Sequence, residues 1–170
     1  MAIRNSITAM RSAIVGTLAF DGPTRAVPLI LDSATEANNV FGRAFTYKTE
    51  DTAQAGGAGV FAGIMTNPHA YAIDQVTAKN GTSGEFLHMG EPSVKLVPAV
   101  ASGKTAGTPV IGSKVYFVAA TGELTVDATD KADSNPVSHT EIKGAVVSRH
   151  TPVSETGGHL AVVSLTGLQA

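Results

Sequence analysis

The sequence GSKVYFVAATGELTV, residues 112–126, opens the stretch that decides the fold. Its residues 115–118 are β-branched or aromatic, and such side chains suit a pleated, half-buried strand. Thr121 and Gly122 supply a turn, and residues 124–126 then alternate apolar and polar side chains, so the segment predicts a β-hairpin. Two further strands are predicted at 142–147 and 160–165.

The chain contains a weaker copy of this block. The three matching pairs of segments are 42–47 with 112–117, 60–65 with 142–147, and 93–98 with 160–165. Each strand set is too small to bury its own apolar face, so the two sets are expected to pack on one another. We therefore predict an all-β protein, a β-barrel or β-sandwich built from two similar strand blocks.

Composition excludes several classes of function. The chain has 170 residues, of which 43% are apolar, so one domain with a sizeable core is expected. A net charge of −2 and an aromatic content of 5% argue against a nucleic-acid surface. The absence of cysteine excludes disulfides and thiolate metal sites. No apolar run approaches the roughly 20 residues that span a bilayer, so no membrane partner is predicted.

Residues 1–40 precede the first block and are predicted to form an N-terminal arm, with residues 41–170 as the barrel-like domain. Apolar side chains recur at helical spacing near the start of the arm, at Ile3, Ile7, Met10 and Ile14. An arm that is partly helical is one prediction, and its threonine and β-branched content leaves extended structure open. A short helix is marginal in water, so the apolar stripe needs a surface, either its own barrel or a neighbouring subunit. Pro28 is expected to restrict residues 25–31 to an edge or arm strand.

Candidate chemistry is sparse. Residues 107–114 resemble a phosphate-binding loop, but the lysine and serine are exchanged and a strand follows where a helix should. Asp127 begins a polar stretch that predicts an exposed loop without the pattern of a calcium loop. His150 and His159 flank the last predicted hairpin and form the one pair that suggests a metal. We predict no catalytic residue, metal site or cofactor.

Three segments together resemble a family of tailed-bacteriophage head proteins, the structural cement or capsid decoration proteins. The segments are GSKVYFVAATGEL at 112–124, IKGAVV at 142–147 and LAVVSL at 160–165, and the likeness covers residues 41–168. The resemblance implies a noncatalytic, β-barrel-like protein that lies on the outer surface of the virion's head. It implies the major capsid protein as partner and a homo-oligomer, with a trimer favoured and a dimer as the alternative. Assembly in the host cytoplasm is expected.

We predict that the arm and the insertion after residue 66 contact the capsid. The predicted contact residues are Ile3, Ile7, Met10, Arg11, Ile14, Asn67, Pro68, His69 and Tyr71. Two other functions stay open. One is a β-barrel binding module of a phage tail or baseplate, against which the scarcity of aromatic residues for sugar stacking counts. The other is a metal-assisted hydrolase that uses His150 and His159.

Overall fold

The computed structural model describes residues 15–20, 22–67, 77–100, 103, 105–130, 136–150 and 158–167, except for the side chain of His150. These described residues form ten β-strands: β1 Arg25–Leu31, β2 Ala44–Tyr47, β3 Thr52–Ala55, β4 Phe61–Met65, β5 Ser83–Gly90, β6 Ser93–Leu96, β7 Lys114–Phe117, β8 Leu124–Thr125, β9 Thr140–His150 and β10 His159–Thr166. A turn of 3₁₀ helix forms at Glu36–Asn38. The predicted all-β class is confirmed. Within the described ranges, no helix has the length and apolar character to cross a membrane.

The strands close two rings with the same connectivity. In the first barrel, pairing runs β1-β3-β2-β4-β5 and returns to β1. In the second barrel, it runs β6-β8-β7-β9-β10 and returns to β6. Each ring has one parallel pair, β1 with β3 and β6 with β8, and the remaining pairs are antiparallel. A short antiparallel pairing of β5 with β10 joins the two barrels.

The residue registers of the two barrels also correspond. Paired residues of the first barrel and their counterparts in the second are Leu29–Gly84 and Val94–Ala161, Leu31–Ala53 and Leu96–Leu124, Ala44–Ile64 and Lys114–Val146, and Met65–Phe86 and Val147–Val163. A side-chain hydrogen bond repeats as well. Thr66 Oγ1 donates to the Glu85 carbonyl, and Ser148 Oγ donates to the Val162 carbonyl at the matching place. The chain is therefore an internal repeat of one five-stranded barrel.

This architecture confirms two of the predicted segment matches and corrects the third. Segments 42–47 and 60–65 do correspond to 112–117 and 142–147, because β2 pairs with β4 as β7 pairs with β9. The match of 93–98 with 160–165 is wrong, since β6 is the partner of β10 and the counterpart of β1. The true counterpart of β10 is β5, whose first residues, Ser83 to Glu85, do not show the apolar pattern of β10.

The prediction that Pro28 restricts residues 25–31 to an edge or arm strand is also wrong. β1 pairs with β5 along its length and with β3 at Ile30 and Leu31, so it closes the first barrel. Pro28 has no N–H and cannot donate a hydrogen bond to a neighbouring strand. It is tolerated because β3 pairs with β1 only from Ile30 onward and does not pair with Pro28. The boundary predicted at residue 40 thus leaves one barrel strand on the arm side.

Each barrel has its own apolar core. In the first barrel the rings of Phe45 and Phe86 lie 5.0 Å apart between centroids, close to the spacing that aromatic pairs prefer. The core of the second barrel is built mainly from Val, Leu, Ile and Ala side chains with Phe117. Ala44, Ile64 and Leu87, on strands of the first barrel, belong to the core cluster of the second. The outer wall of one barrel therefore helps to seal the other.

Backbone contacts fix the two barrels against each other. Ala44 N–H donates to the Gly122 carbonyl at 2.8 Å, and Gly57 N–H donates to the Ala119 carbonyl at 2.7 Å. Arg43 adds side-chain bonds across the same junction, to Glu123 Oε1 at 2.9 Å and to the Thr121 carbonyl at 3.1 Å. The Arg43–Glu123 pair is only partly exposed, so it is screened less than a surface ion pair.

Gly122 is predicted to be essential to this junction. It has a φ of +73°, and a Cβ at this position would overlap the carbonyl oxygen of Ala44. We expect Gly122→Ala to lower the free energy of unfolding by about 2 kcal/mol or more, measured by chemical denaturation. The matched control is Gly81→Ala, because Gly81 has a φ of +81° but open space around its Cβ position. Equal losses in the two variants would contradict a role for close approach at the junction.

Candidate interaction surface

The described end of the predicted arm, residues 15–20, lies across both barrels. Gly16 N–H donates to the Ser93 carbonyl at 2.7 Å, and Ser93 N–H donates to the Thr17 carbonyl at 2.7 Å. Ala19 N–H donates to the Glu91 carbonyl at 2.8 Å, and Leu18 bridges to Pro92 in antiparallel sense. This segment is therefore an added strand beside the start of β6 in the second barrel.

The same segment covers a turn of the first barrel at residues 40–42. A Cβ on Gly16 would lie 2.9 Å from Phe41 Cβ, and one on Gly42 would overlap Val15 Cγ1. The close crossing of two glycine-containing backbones leaves Phe41 only 4% exposed. Glycine is required at both positions, because both have a φ near +80° and neither has room for a side chain.

Asn67 is the one predicted contact residue whose position the structure describes. Its N–H donates to the Gly16 carbonyl at 2.9 Å, which places the start of the predicted insertion directly beside the end of the arm. Its side-chain Oδ1 is buried and accepts no hydrogen bond from any described residue. The remaining predicted contact residues, Ile3, Ile7, Met10, Arg11, Ile14, Pro68, His69 and Tyr71, lie outside the described residues. The two predicted regions thus leave the barrels at one place.

Apolar and aromatic surface lies next to this exit point. Leu18 and Phe20 are both exposed by more than a third, although they are large and apolar. The Arg149 guanidinium lies over the Phe20 ring, 4.6 Å from its centroid, a cation–π arrangement that connects the segment to β9. Such a surface suits contact with another protein better than contact with water.

The second barrel has another apolar surface, and none of its residues was predicted as a contact. Val110 and Ile111 form the turn before β7 and are exposed, with Ile111 at 71%. Val146 on β9 is exposed on the outer face, opposite Lys114 in the register. Lys114 Nζ lies 2.9 Å from Glu141 Oε1, and this hydrogen bond together with the charge of Glu141 raises the pKa of Lys114. An ion pair therefore borders the apolar residues.

The prediction of an exposed polar loop is wrong at Asp127. It is buried, and its Oδ1 accepts from Gly107 N–H at 2.7 Å while Oδ2 accepts from Ala99 N–H at 3.2 Å. The carboxylate thereby fastens the connector between β6 and β7, whose backbone donors would otherwise be unpaired. Its role is structural, and calcium binding by this side chain is not supported.

The histidines do not assemble a site in the part of the chain that the structure describes. The pair of His150 and His159 is untested, since the side chain of His150 lies outside that part. His139 Nδ1 lies 2.7 Å from the Asp127 carbonyl, where it helps to fix the loop. No group of three or more His, Asp or Glu side chains suited to a metal ion occurs among the described residues.

Comparisons with known proteins concern the family and the fold of the chain. The family model described as "Structural cement protein (E217 gp24/Pam3 gp6)" matches residues 3–166. No curated protein matches the chain. Four chains of solved structures match, among them one from the capsid of Myoviridae phage XM1, with a TM-score of 0.60 and 14% sequence identity over 98% of this chain and 98% of that chain. At this identity the likeness concerns the fold.

His88 on β5 should make stability depend on pH. Burial, and to a lesser extent the positive charge of Arg25, lower the pKa of His88 from 6.5. The unfolded chain therefore takes up this proton first as the pH falls, so the free energy of unfolding should decrease below about pH 6.5. Denaturation between pH 7.5 and pH 5 should show a smaller decrease for His88→Gln than for the unaltered chain. An identical decrease in both proteins would contradict the assignment to His88.

Proposed function

This protein belongs to the phage structural cement protein family, and we propose that it binds the outer surface of the major capsid protein lattice and stabilises the head. Family membership indicates a capsid-associated, structural role in the virion. The alternatives of a tail or baseplate module and of a metal-assisted hydrolase are not favoured by it. No step of catalysis is assigned to any residue.

The observation that carries the proposal is the anchoring of residues 15–20 at the junction of the two barrels. Three backbone hydrogen bonds to the β6 region and one from Asn67 hold this segment. The preceding fourteen residues therefore start from a fixed point, beside the start of the predicted insertion. A segment tied at one end loses less entropy on binding than a free one, which favours its use as a clamp.

The apolar residues of the arm supply the contact chemistry in this proposal. Ile3, Ile7, Met10 and Ile14, with Arg11, would be buried against capsid subunits, and the insertion with Asn67, Pro68, His69 and Tyr71 would contact the same subunit. A charged content of 15% keeps the desolvation cost of the barrel surface low. An interface of standard size, roughly 800 Å² per partner, is within reach of such an arm.

Symmetry of the shell makes modest contacts sufficient. Each chain would form a homo-trimer, or alternatively a dimer, after assembly in the host cytoplasm. An oligomer that engages several capsid subunits at once gains avidity, because the second and third contacts are intramolecular. The barrels would act as the rigid base, and the arms as the contacts that distinguish one site on the lattice from another.

Removal of residues 1–14 tests the arm. We expect capsid binding to fall by at least about tenfold, since even one isoleucine buried at an interface contributes that much. Binding is measured by co-sedimentation with capsids that lack this protein. The cut is placed before Val15 because residues 15–20 contribute to the fold.

The matched controls keep the arm and alter only polar positions, Asn5→Ala and Ser12→Ala, and should bind as the full chain does. Thermal unfolding of the shortened chain should remain close to that of the full chain. Unchanged capsid binding after removal of the arm would refute its assignment as the capsid contact.

A further inference from the structure

The turn before β5 contains Asn80 and Gly81, which form the only Asn-Gly pair in the chain. Thr82 N–H donates to the Lys79 carbonyl at 3.3 Å, and this bond closes the turn around the pair. Gly81 has a φ of +81°, and a Cβ there would meet nothing within 4 Å. Asn-Gly is typical of tight turns, because glycine adopts a positive φ without strain. Both residues of the pair are exposed.

The side-chain amide of Asn80 takes the place of a neighbouring strand just beyond the end of β1. Its Oδ1 accepts from Ser33 N–H at 3.0 Å, and its Nδ2 donates to the Ser33 carbonyl at 2.8 Å. One amide thus pairs both backbone groups of Ser33, which is only 5% exposed. Oδ1 also accepts from Asn39 Nδ2 at 2.8 Å. Because a buried N–H or C=O without a partner is costly, the chain depends on this amide here.

The backbone of the same turn is also held. Asn80 N–H donates to Glu36 Oε2 at 3.0 Å, and Gly81 N–H donates to the Leu31 carbonyl at 2.8 Å. Leu31 N–H donates in return to the Thr82 carbonyl at 2.9 Å. The turn therefore lies fixed between β1 and the 3₁₀ turn, at the place where β5 begins to pair with β1.

An Asn-Gly pair also has a reaction of its own. The Gly81 nitrogen attacks Asn80 Cγ to form a cyclic imide, and Nδ2 leaves as ammonia with the proton of the Gly81 nitrogen. Water then opens the imide. Cleavage of the new bond gives an aspartate, and cleavage of the original peptide bond gives an isoaspartate with the main chain routed through Cγ. The attack is intramolecular and no Cβ on the glycine hinders it, which makes this asparagine thermolabile.

The fold blocks both reacting groups. The Gly81 nitrogen is engaged as a donor to Leu31, and the two hydrogen bonds of the Asn80 amide hold Cγ at Ser33. Cyclisation requires the release of both groups. It therefore proceeds only from conformations in which this turn has separated from β1.

The product does not fit in the place of the amide. A carboxylate has no N–H to donate, so its second oxygen would face the Ser33 carbonyl, which is also an acceptor. Its negative charge would be added beside Glu36, whose carboxylate accepts from the backbone N–H of residue 80. An isoaspartate also adds a methylene to the main chain of the turn. Modification and closure of the turn therefore exclude each other.

We propose that Asn80 is a self-modification site that the native fold keeps unreacted. In chains whose turn stays open, Asn80 converts to aspartate or isoaspartate, and the converted chain does not restore the contacts at the end of β1. The reaction consumes only water and releases only ammonia. Chains that fail to close the first barrel are thereby altered irreversibly. This inference is independent of capsid binding.

Mass spectrometry of the proteolytic peptide that contains residues 80 and 81 tests the inference. The full chain is kept at pH 8 and 37 °C, either folded in buffer or unfolded in guanidinium chloride, and the replacement of the amide by an acid is followed with time. We expect conversion in the folded chain to be at least about tenfold slower, because the reaction tracks the population of the open form. Equal rates overturn the inference.

A pair of glutamate variants tests whether the hydrogen bonds of the turn give the protection. Glu36→Ala removes the acceptor of Asn80 N–H and should raise the conversion rate in the folded chain about fivefold, as expected for the loss of one hydrogen bond. Glu50→Ala is the matched control, since both glutamates are exposed. Its conversion rate should equal that of the unaltered chain. Equal rates in the two variants contradict the inference.

The consequence of the reaction is tested with its product. Asn80→Asp should lower the melting temperature by at least about 4 °C, because the Ser33 carbonyl loses its donor. Ala58→Asp adds the same charge at an exposed loop position of the first barrel and should melt as the unaltered chain does. Equal melting temperatures of the two variants overturn the claim that modification and closure exclude each other.

Refolding provides the last readout. The unaltered chain, kept in guanidinium chloride until Asn80 has converted, should refold to a product that melts lower than briefly unfolded chain. Gly81→Ala should lose most of the conversion in denaturant, because its Cβ hinders the attack, and should refold after the same time as it did at the start. A loss in Gly81→Ala as large as in the unaltered chain contradicts the inference.

Discussion

The arrangement of the two barrels depends on one small residue, Ala44. Its N–H donates to the Gly122 carbonyl, its own carbonyl accepts from Gly56 N–H, and its side chain is buried in the core that the second barrel shares. A larger side chain has no room where two backbones approach this closely. The counterpart of Ala44 in the second barrel is Lys114, which is exposed and paired with Glu141. The same strand position is thus small and apolar where the other barrel covers it, and charged where no described segment does.

This difference runs through both repeats. Ile64 is fully buried against the second barrel, whereas its counterpart Val146 is partly exposed. Phe41 is covered and Ile111 is open. The two barrels of the chain pack through different walls. One wall of the first barrel lies against the second barrel, and the equivalent wall of the second barrel lies at the surface. Residues that stay apolar on the outward wall form a surface that suits contact with another protein.

The sequence alone predicts a large part of this architecture. The β-branched run at 115–118 and the turn at Gly122 predict a hairpin, and the likeness of 42–47 to 112–117 predicts the repeat. The sequence pattern does not show that β5, and not β6, is the counterpart of β10. The reason is that SVKL in β6 looks more like a buried strand than SGEF at the start of β5. The alternation at 124–126 predicts the short strand β8, but not its parallel pairing with β6. Closure of a ring is a property of pairing between distant segments, and local sequence does not contain it.

The candidate interaction surface was predictable only in part, because it too depends on contacts between distant segments. Asn67 lies beside the described end of the arm, and its role in a capsid contact stays a prediction. Ile111 was missed because residues 107–114 were compared with a phosphate-binding loop and not with residues 40–42. The burial of Asp127 was missed because its partners, Ala99 and Gly107, are distant in sequence.

Ring closure has a consequence for a protein that is displayed in many copies at high local density. A sheet with free edges offers unpaired backbone donors and acceptors to any strand nearby, and crowded copies would polymerise through them without regard to sequence. Because β1 pairs with β5 and β10 pairs with β6, each of the ten described strands has at least two partner strands. Under the proposed function, recognition would then rest on side chains and on the arm. Closure of both barrels therefore protects crowded copies against edge-to-edge polymerisation.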